Sequence, residues 1–186
     1  GTGKTPMVEY LINLLKDEKH LATLSRGYGR KTKGFKIANS KASAESIGDE
    51  PFQFYNKFKN AICVAVDENR QRGISLLKQK VPDLELVILD DAFQHRKVKA
   101  KLNILLTTYT NPFYRDYVLP LGNLREPRVG AKRAEIIVVT KCPANLTPAK
   151  ASEMMQKIKP GDKSVYFTTI TYSEPQNMNG DKLETK

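Results

Sequence analysis

The residues best suited to chemistry fall into short clusters, and the first is Gly1-Thr2-Gly3-Lys4-Thr5-Pro6. The full phosphate-loop pattern is G-x-x-x-x-G-K-[ST] after a strand. Its closing part stands here without the first glycine or the feeding strand. Glycines let backbone N–H groups turn toward phosphate oxygens, and a helix starting at Pro6 would present its positive end to them. In that setting Lys4 reaches the β- and γ-phosphates and the Thr5 hydroxyl binds Mg²⁺. The second cluster is LELVILDDAFQH, residues 84–95. An apolar strand ending in Asp90-Asp91 is the form of a carboxylate that holds Mg²⁺ at a strand tip. Acidic residues also cap many strands, but two adjacent carboxylates repel unless a cation or donor offsets them. Gln94 and His95 add an amide and an imidazole at the same edge.

Four further stretches carry charge in loops. In SRGYGRKTKGFK, residues 25–36, Arg26, Arg30, Lys31, Lys33 and Lys36 interleave with glycines and the aromatics Tyr28 and Phe35. Such a mixture suits single-stranded RNA, and it equally suits a loop gripping a small anion. In GDEP, residues 48–51, Pro51 at a first helical position makes Asp49 or Glu50 an N-cap. The functional reading of the same residues is a general base at the site edge. VDENRQR places Arg70 and Arg72 just past a strand end, and LPLGNLREP sets Arg125 and Glu126 in a Pro/Gly-rich loop. Loops of that kind often carry binding residues.

The elements that must position these groups follow from periodicity. Val8, Leu11, Ile12 and Leu15 have the spacing of an amphipathic helix running from Pro6. Apolar, β-branched-rich strands are expected at 21–24, 62–66, 84–89, 102–106, 136–139 and 165–170, with helices at about 50–59, 69–80 and 148–158. Strands that are apolar on both faces and alternate with helices predict an α/β fold, a mostly parallel sheet with helices on both faces. Ligands bind such sheets at the carboxyl ends of the strands. Ser25-Arg26-Gly27, Asp67, Asp90-Asp91 and Thr140-Lys141 all fall there. The stretch Ser173–Lys186 turns polar and reads as a loop or frayed end.

Composition narrows the partner classes. The chain has 186 residues, enough for one domain with a real core. No apolar run approaches the ~20 residues that a membrane helix needs. Cys63 and Cys142 stand far apart, without metal-ligand spacing or a disulfide framework. The net charge of +11 favours a negatively charged partner: nucleic acid, an anionic lipid surface or a phosphorylated substrate.

In this order, G-T-G-K-T-P, S-R-G-Y-G-R, G-D-E-P, the Arg70 segment, D-D-A-F-Q-H and L-R-E-P resemble the tetraacyldisaccharide 4′-kinases of lipid A biosynthesis. The resemblance runs from residue 1 to about residue 141. It implies a P-loop NTPase-like sheet whose first strand is missing, with a kinase domain over 1–172 and the start of a linker or further domain over 173–186. It implies transfer of the γ-phosphate of ATP, with Mg²⁺, to the 4′-hydroxyl of an acylated glucosamine disaccharide 1-phosphate. By resemblance, Gly1, Thr2, Gly3, Lys4 and Thr5 hold the nucleotide, and Asp49 is the catalytic base beside Lys4 and Asp91. Thr5, Glu50, Asp90, Asp91 and Gln94 surround the metal. Ser25, Arg26, Tyr28, Arg70, His95 and Arg125 line the cleft where phosphates and lipid head group meet. The implied location is the cytoplasmic face of the bacterial inner membrane, bound peripherally to its anionic surface.

Two departures accompany the resemblance. Ala92 stands where the family usually has glycine, which is tolerable at ordinary backbone angles and strained at positive φ. The resemblance also implies that the chain is an internal segment of a longer kinase, and by itself it is expected to show little or no activity. Two other function classes stay in view. Thr140-Lys141 distantly resembles the base-reading lysine motif of GTPase switches, but no aspartate follows at the spacing that would pair with guanine. An RNA-binding module on residues 25–36 would leave Asp90-Asp91 and Asp49-Glu50 repelling the nucleic acid, so no nucleic-acid partner is expected.

Overall fold

The computed structural model describes residues 1–158, 161 and 163–171, so the expectation for 173–186 and the end of the 1–172 domain lie outside the described residues. The expected helices form as α1 (Lys4–Leu15), α3 (Asp49–Phe58), α4 (Arg70–Lys80) and α5 (Pro148–Ile158), with a short α2 (Ala44–Ile47) before α3. The strands are β1 (Leu21–Ser25), β2 (Lys36–Ile37), β3 (Cys63–Val66), β4 (Leu86–Leu89), β5 (Ile104–Thr108), β6 (Ile136–Thr140) and β7 (Ser164–Phe167). The strand expected at 102–106 is displaced toward the C-terminus, because Leu102 points to solvent and pairing begins at Ile104.

The strands build two hydrogen-bonded sheets rather than one, in the orders β2-β3-β1-β4 and β5-β6-β7. All pairings are parallel except that of the two-residue β2 with β3. Among the described residues β4 and β5 do not pair. Residues 90–103 between them make turns, whereas neighbouring parallel strands are normally joined by a crossover helix.

Both faces of the first sheet are covered, as strand periodicity requires. Leu21 and Val64 pack with Val8 and Ile12 of α1 and Phe54 and Phe58 of α3. The alternate residues Ala22, Leu24 and Ala65 pack with Leu77 of α4 on the other side. On the second sheet, Ile137 and Val139 meet Met154 and Ile158 of α5. Phe93, from the turn after β4, also packs into that cluster and so ties the tip of one sheet to the core of the other.

The loop after β1 is held by one tight approach. Gly27 has φ 70°, and a Cβ there would lie 2.6 Å from Arg30 Cδ and 2.7 Å from Ile47 O. Gly27→Ala should therefore cost at least about 2 kcal/mol of stability, through left-handed strain plus a clash with backbone. Gly29→Ala, with similar φ but open space around it, should cost only about 1 kcal/mol. Urea unfolding of the two variants checks the difference.

Candidate active site

Four strand tips bring the candidate residues together. Asp67 N–H donates to Ser25 O (3.0 Å) and Asp90 N–H to Leu24 O (3.1 Å), so the ends of β1, β3 and β4 lie side by side. The second sheet contributes Thr140, whose hydroxyl donates to Thr2 O at 2.8 Å. That bond anchors the Gly1–Thr5 loop over the end of β6. Helix α1 begins at Lys4, two residues before Pro6, with Gly3 as its N-cap at φ 85°. Lys4 and Thr5 thus occupy the first turn, where free backbone N–H groups and the positive helix end favour an anion.

Across this loop stand the carboxylates. Lys4 Nζ lies 3.6 Å from Asp91 Oδ1, and Arg125 Nη1 donates to Asp91 Oδ2 at 3.0 Å. Asp91 therefore joins the first loop to the L-R-E-P loop, and it does so at φ 48°. The positive angle falls on Asp91 and not on Ala92, so the methyl of Ala92 brings no left-handed strain. Thr5 Oγ1 donates to Glu50 Oε1 at 3.0 Å, which brings the start of α3 to the same place. Neither carboxylate of GDEP is the N-cap: Gly48 takes that position, and Asp49 and Glu50 sit exposed in the first turn. Asp90, only 2% exposed, is pushed up to about 6 by burial, with Glu50 and Asp91 adding to the shift and Lys4 opposing it. A buried carboxylate with two others near it is a candidate group for holding a cation.

Beside this group opens a cleft of about 390 Å³ lined by Arg26, Glu68, Arg70, Asp91, Gln94, His95 and Arg125. Arg70 is buried at the start of α4, and its Nη1 and Nη2 donate to Asp67 O (2.5 Å) and Asp90 O (3.4 Å). Its Nε has no partner among the described residues. Burial lowers the Arg70 pKa, with Asp90 acting against the shift and Arg26 adding to it. Three arginines and an unpartnered buried donor suit an oxyanion such as phosphate.

Of the residues named from the sequence, Lys4, Asp91 and Arg125 form one ion-paired group, and Thr5 with Glu50 forms a second beside Asp90. Arg26, Arg70, Gln94 and His95 line the cleft with Asp91. Ser25 is buried, and its Oγ accepts from Gly27 N–H at 3.3 Å. Tyr28 is 90% exposed and stands apart from that lining. The basic loop 25–36 is not one continuous surface, because the Arg30 side chain is buried and paired with Glu68 while Lys31 pairs with Glu45.

Sequence reasoning missed Glu68, which lines the cleft and ties Arg30 in place. Burial pushes the Glu68 carboxyl up, but backbone N–H groups and Arg30 outweigh it and hold the group below its usual value. It also missed Arg133, which donates to Glu126 (2.8 Å) and Phe93 O (3.1 Å) and stacks on the Phe93 ring, bracing the Arg125 loop against the β4 turn. Only its distance in sequence hid it: no local pattern links position 133 to position 93.

A sequence profile of the tetraacyldisaccharide-1-P 4′-kinase family matches residues 1–184. The chain belongs to that family. It is 53% identical over 173 residues to a tetraacyldisaccharide 4′-kinase of Flavobacterium johnsoniae, covering 92% of this chain and 51% of the relative. With the Bacteroides fragilis enzyme of the same name it shares 51% over 174 residues, covering 92% and 46%. The chain thus spans about half the length of the curated relatives it matches. Its fold resembles the crystal structure of LpxK from Aquifex aeolicus in complex with ATP, at TM-score 0.69 and 31% identity over 91% of this chain and 67% of that one. Within the family's scaffold, the Lys4–Asp91–Arg125 group is the feature most open to test. Asp91→Asn should loosen the hold on Lys4 and Arg125, because the charge facing the lysine and the arginine is lost. Asn tolerates the left-handed angle, so stability should hold; Asp91→Ala should add a stability loss in urea unfolding.

Proposed function

We propose that this chain carries the nucleotide- and acceptor-handling site of an ATP-dependent kinase that phosphorylates the 4′-hydroxyl of a tetraacyl glucosamine disaccharide 1-phosphate. The observation that carries the proposal is the meeting of the Gly3-Lys4-Thr5 segment, a strand-tip carboxylate pair and three arginines, in a chain of this family. Gly1, Thr2 and Gly3 give the nucleotide phosphates a backbone bed at the positive end of α1, and Lys4 offsets charge on the transferring group. Asp49, exposed in the first turn of α3, accepts the proton of the attacking sugar hydroxyl. Arg26, Arg70 and Arg125, lining one cleft, orient the phosphates of both substrates, with Gln94 and His95 at its edge.

The residues present fit Mg²⁺. Among the described residues no three His, Cys, Asp or Glu side chains form a metal cage, and Mg²⁺ is usually held by one or two carboxylates together with substrate phosphates. Asp90 and Asp91, with Thr5, Glu50 and Gln94 around them, are the groups that would hold it, and a cation bound there would offset the repulsion that Glu50 and Asp91 exert on ionised Asp90. Bound there with ATP, the ion would neutralise developing phosphate charge. The acceptor sits in a bilayer, so the site is assigned to the cytoplasmic face of the bacterial inner membrane, in peripheral contact with anionic lipid. No described helix is long and apolar enough to cross a membrane.

Nucleotide competition tests the reading against a guanine-nucleotide switch. The whole protein should bind Mg–ATP more tightly than Mg–GTP, and Lys4→Ala should weaken ATP binding at least tenfold by roughly the loss of one charged phosphate contact. Tighter binding of GTP would favour the switch.

A further inference from the structure

We propose that the loop over residues 117–129 is a membrane-docking surface that inserts apolar side chains into an anionic bilayer beside the active-site cleft. The proposal rests on the reading of the acceptor as a bilayer lipid. Among the described residues, twelve large apolar side chains are markedly exposed, and five of them, Tyr117, Val118, Leu119, Leu121 and Val129, fall within this one loop. Singly scattered apolar residues are ordinary on a surface, whereas a contiguous set marks an interaction site. Leu121 is 86% exposed, and Leu119 and Tyr117 are each 62% exposed.

The loop is built to hold these side chains outward. Leu119 N–H donates to Leu124 O (3.0 Å) and Leu124 N–H to Tyr117 O (2.9 Å), closing the turn on itself. Asp116 lies at its base, where its carboxylate accepts from Tyr117 N–H, Asn123 N–H and the Asn111 and Asn123 amides. Gly122 fits against that base because a Cβ would stand 2.3 Å from Asp116 Oδ1. The backbone is thus fixed by its own hydrogen bonds, while the apolar tips make no core.

Charge selects the occupant. Residues 112–133 contain five basic side chains and two acidic ones. Glu126 is paired with Arg133 and Arg125 with Asp91, which leaves Arg115, Arg128 and Lys132 against the single carboxylate of Asp116. Arg128 stacks 4.8 Å from the Tyr117 ring centroid and donates to Asp116 O, next to exposed Val129. An apolar tip with a basic rim matches the boundary between acyl chains and anionic head groups. The loop is continuous with the site: one residue after Leu124, Arg125 reaches Asp91 in the cleft. Docking of this tip would place the cleft at head-group level, where the sugar of a lipid acceptor lies.

The test uses the whole protein and vesicles of phosphatidylethanolamine and phosphatidylglycerol containing neither acceptor nor ATP. Leu121→Asp should lower the vesicle partition coefficient about tenfold, with the affinity for ATP retained, and parental partition should weaken on neutral phosphatidylcholine vesicles or in high salt. Partition of Leu121→Asp equal to the parent's overturns the proposal. Should that variant fail to fold, Leu121→Trp provides a second reading, since this chain has no tryptophan. Its emission, taken as the difference from the parent, should shift to the blue and be quenched by lipids brominated on the acyl chain. Emission that is already blue without vesicles and never quenched would mean that the tip is covered by another part of the protein, and the proposal fails. Because acceptor and ATP are absent, docking is read separately from the kinase assignment: docking without phosphate transfer to the disaccharide would sink only that assignment.

Discussion

Asp49→Asn in the whole protein should transfer phosphate about 10²–10⁴ times more slowly than the parent, the range expected when a general base is removed. The substitution keeps size and shape, and Asp49 is exposed in the first turn of α3, so unfolding should move little. Its neighbour Glu50 is already engaged by Thr5, at 3.0 Å, and belongs to the group beside Asp90. The two adjacent carboxylates therefore have different surroundings, Glu50 facing Thr5 and Asp49 exposed to solvent. The effect should appear in the rate of the transfer step, with ATP affinity nearly unchanged, and single-turnover kinetics separates the two. Loss of ATP affinity with an unchanged transfer rate would place Asp49 in nucleotide binding instead.

Asp90→Asn should make the ligand-free protein more stable while abolishing Mg²⁺-dependent turnover. The folded-state pKa is raised to about 6 from 3.8, chiefly by burial. Above pH 6 the folded protein carries a buried charge that the unfolded chain holds in water, so ionised Asp90 lowers stability. As pH falls from about 6 toward 4 the folded state takes up the proton first, and the penalty disappears. The neutral variant should therefore gain on the order of 2 kcal/mol at pH 8, with the gain vanishing near pH 4. Urea unfolding at the two pH values measures it. The backbone carbonyl of Asp90, which accepts from Arg70, is untouched by the change. Mg–ATP should reverse the ranking, because it stabilises by binding only the folded state and binds the parent better. A variant less stable than the parent at pH 8 would contradict this account of Asp90.

The same contrast explains what was legible in the sequence. Helical and strand periodicities place α1, α3, α4, α5 and the six longer strands, because each buries a face whose spacing is local. The tips of β1, β3 and β4 were readable for the same reason: polar residues interrupt apolar runs at Ser25, Asp67 and Asp90. The two-residue β2 was not readable, since only its pairing with β3 makes it a strand. Nor was α2, a single turn closed by reciprocal bonds between Ser43 and Ser46. The division into two sheets was equally hidden, because periodicity states which strands exist and not which strands pair.

Within the candidate site, residue types gave the chemistry and long-range contacts gave the geometry. Arg30 and Arg26 look alike in the string Ser25–Arg30, yet one is buried against Glu68 and the other lines the cleft. The resemblance groups Tyr28 with Arg125, but Arg125 bonds Asp91 and Tyr28 stands in solvent. The positive φ at Asp91, one residue before Ala92, arises from the turn at the end of β4 and leaves no mark in composition.

Acceptor-specific phosphoryl transfer is decided by where a labelled γ-phosphate ends up. The whole protein is incubated with Mg²⁺, ATP labelled at the γ-phosphate and tetraacyl disaccharide 1-phosphate, and the position of the label is determined. Label should appear on the 4′-oxygen of the disaccharide and not on an acceptor that lacks that hydroxyl. Release of the label as free phosphate, with no labelled lipid formed, would contradict it.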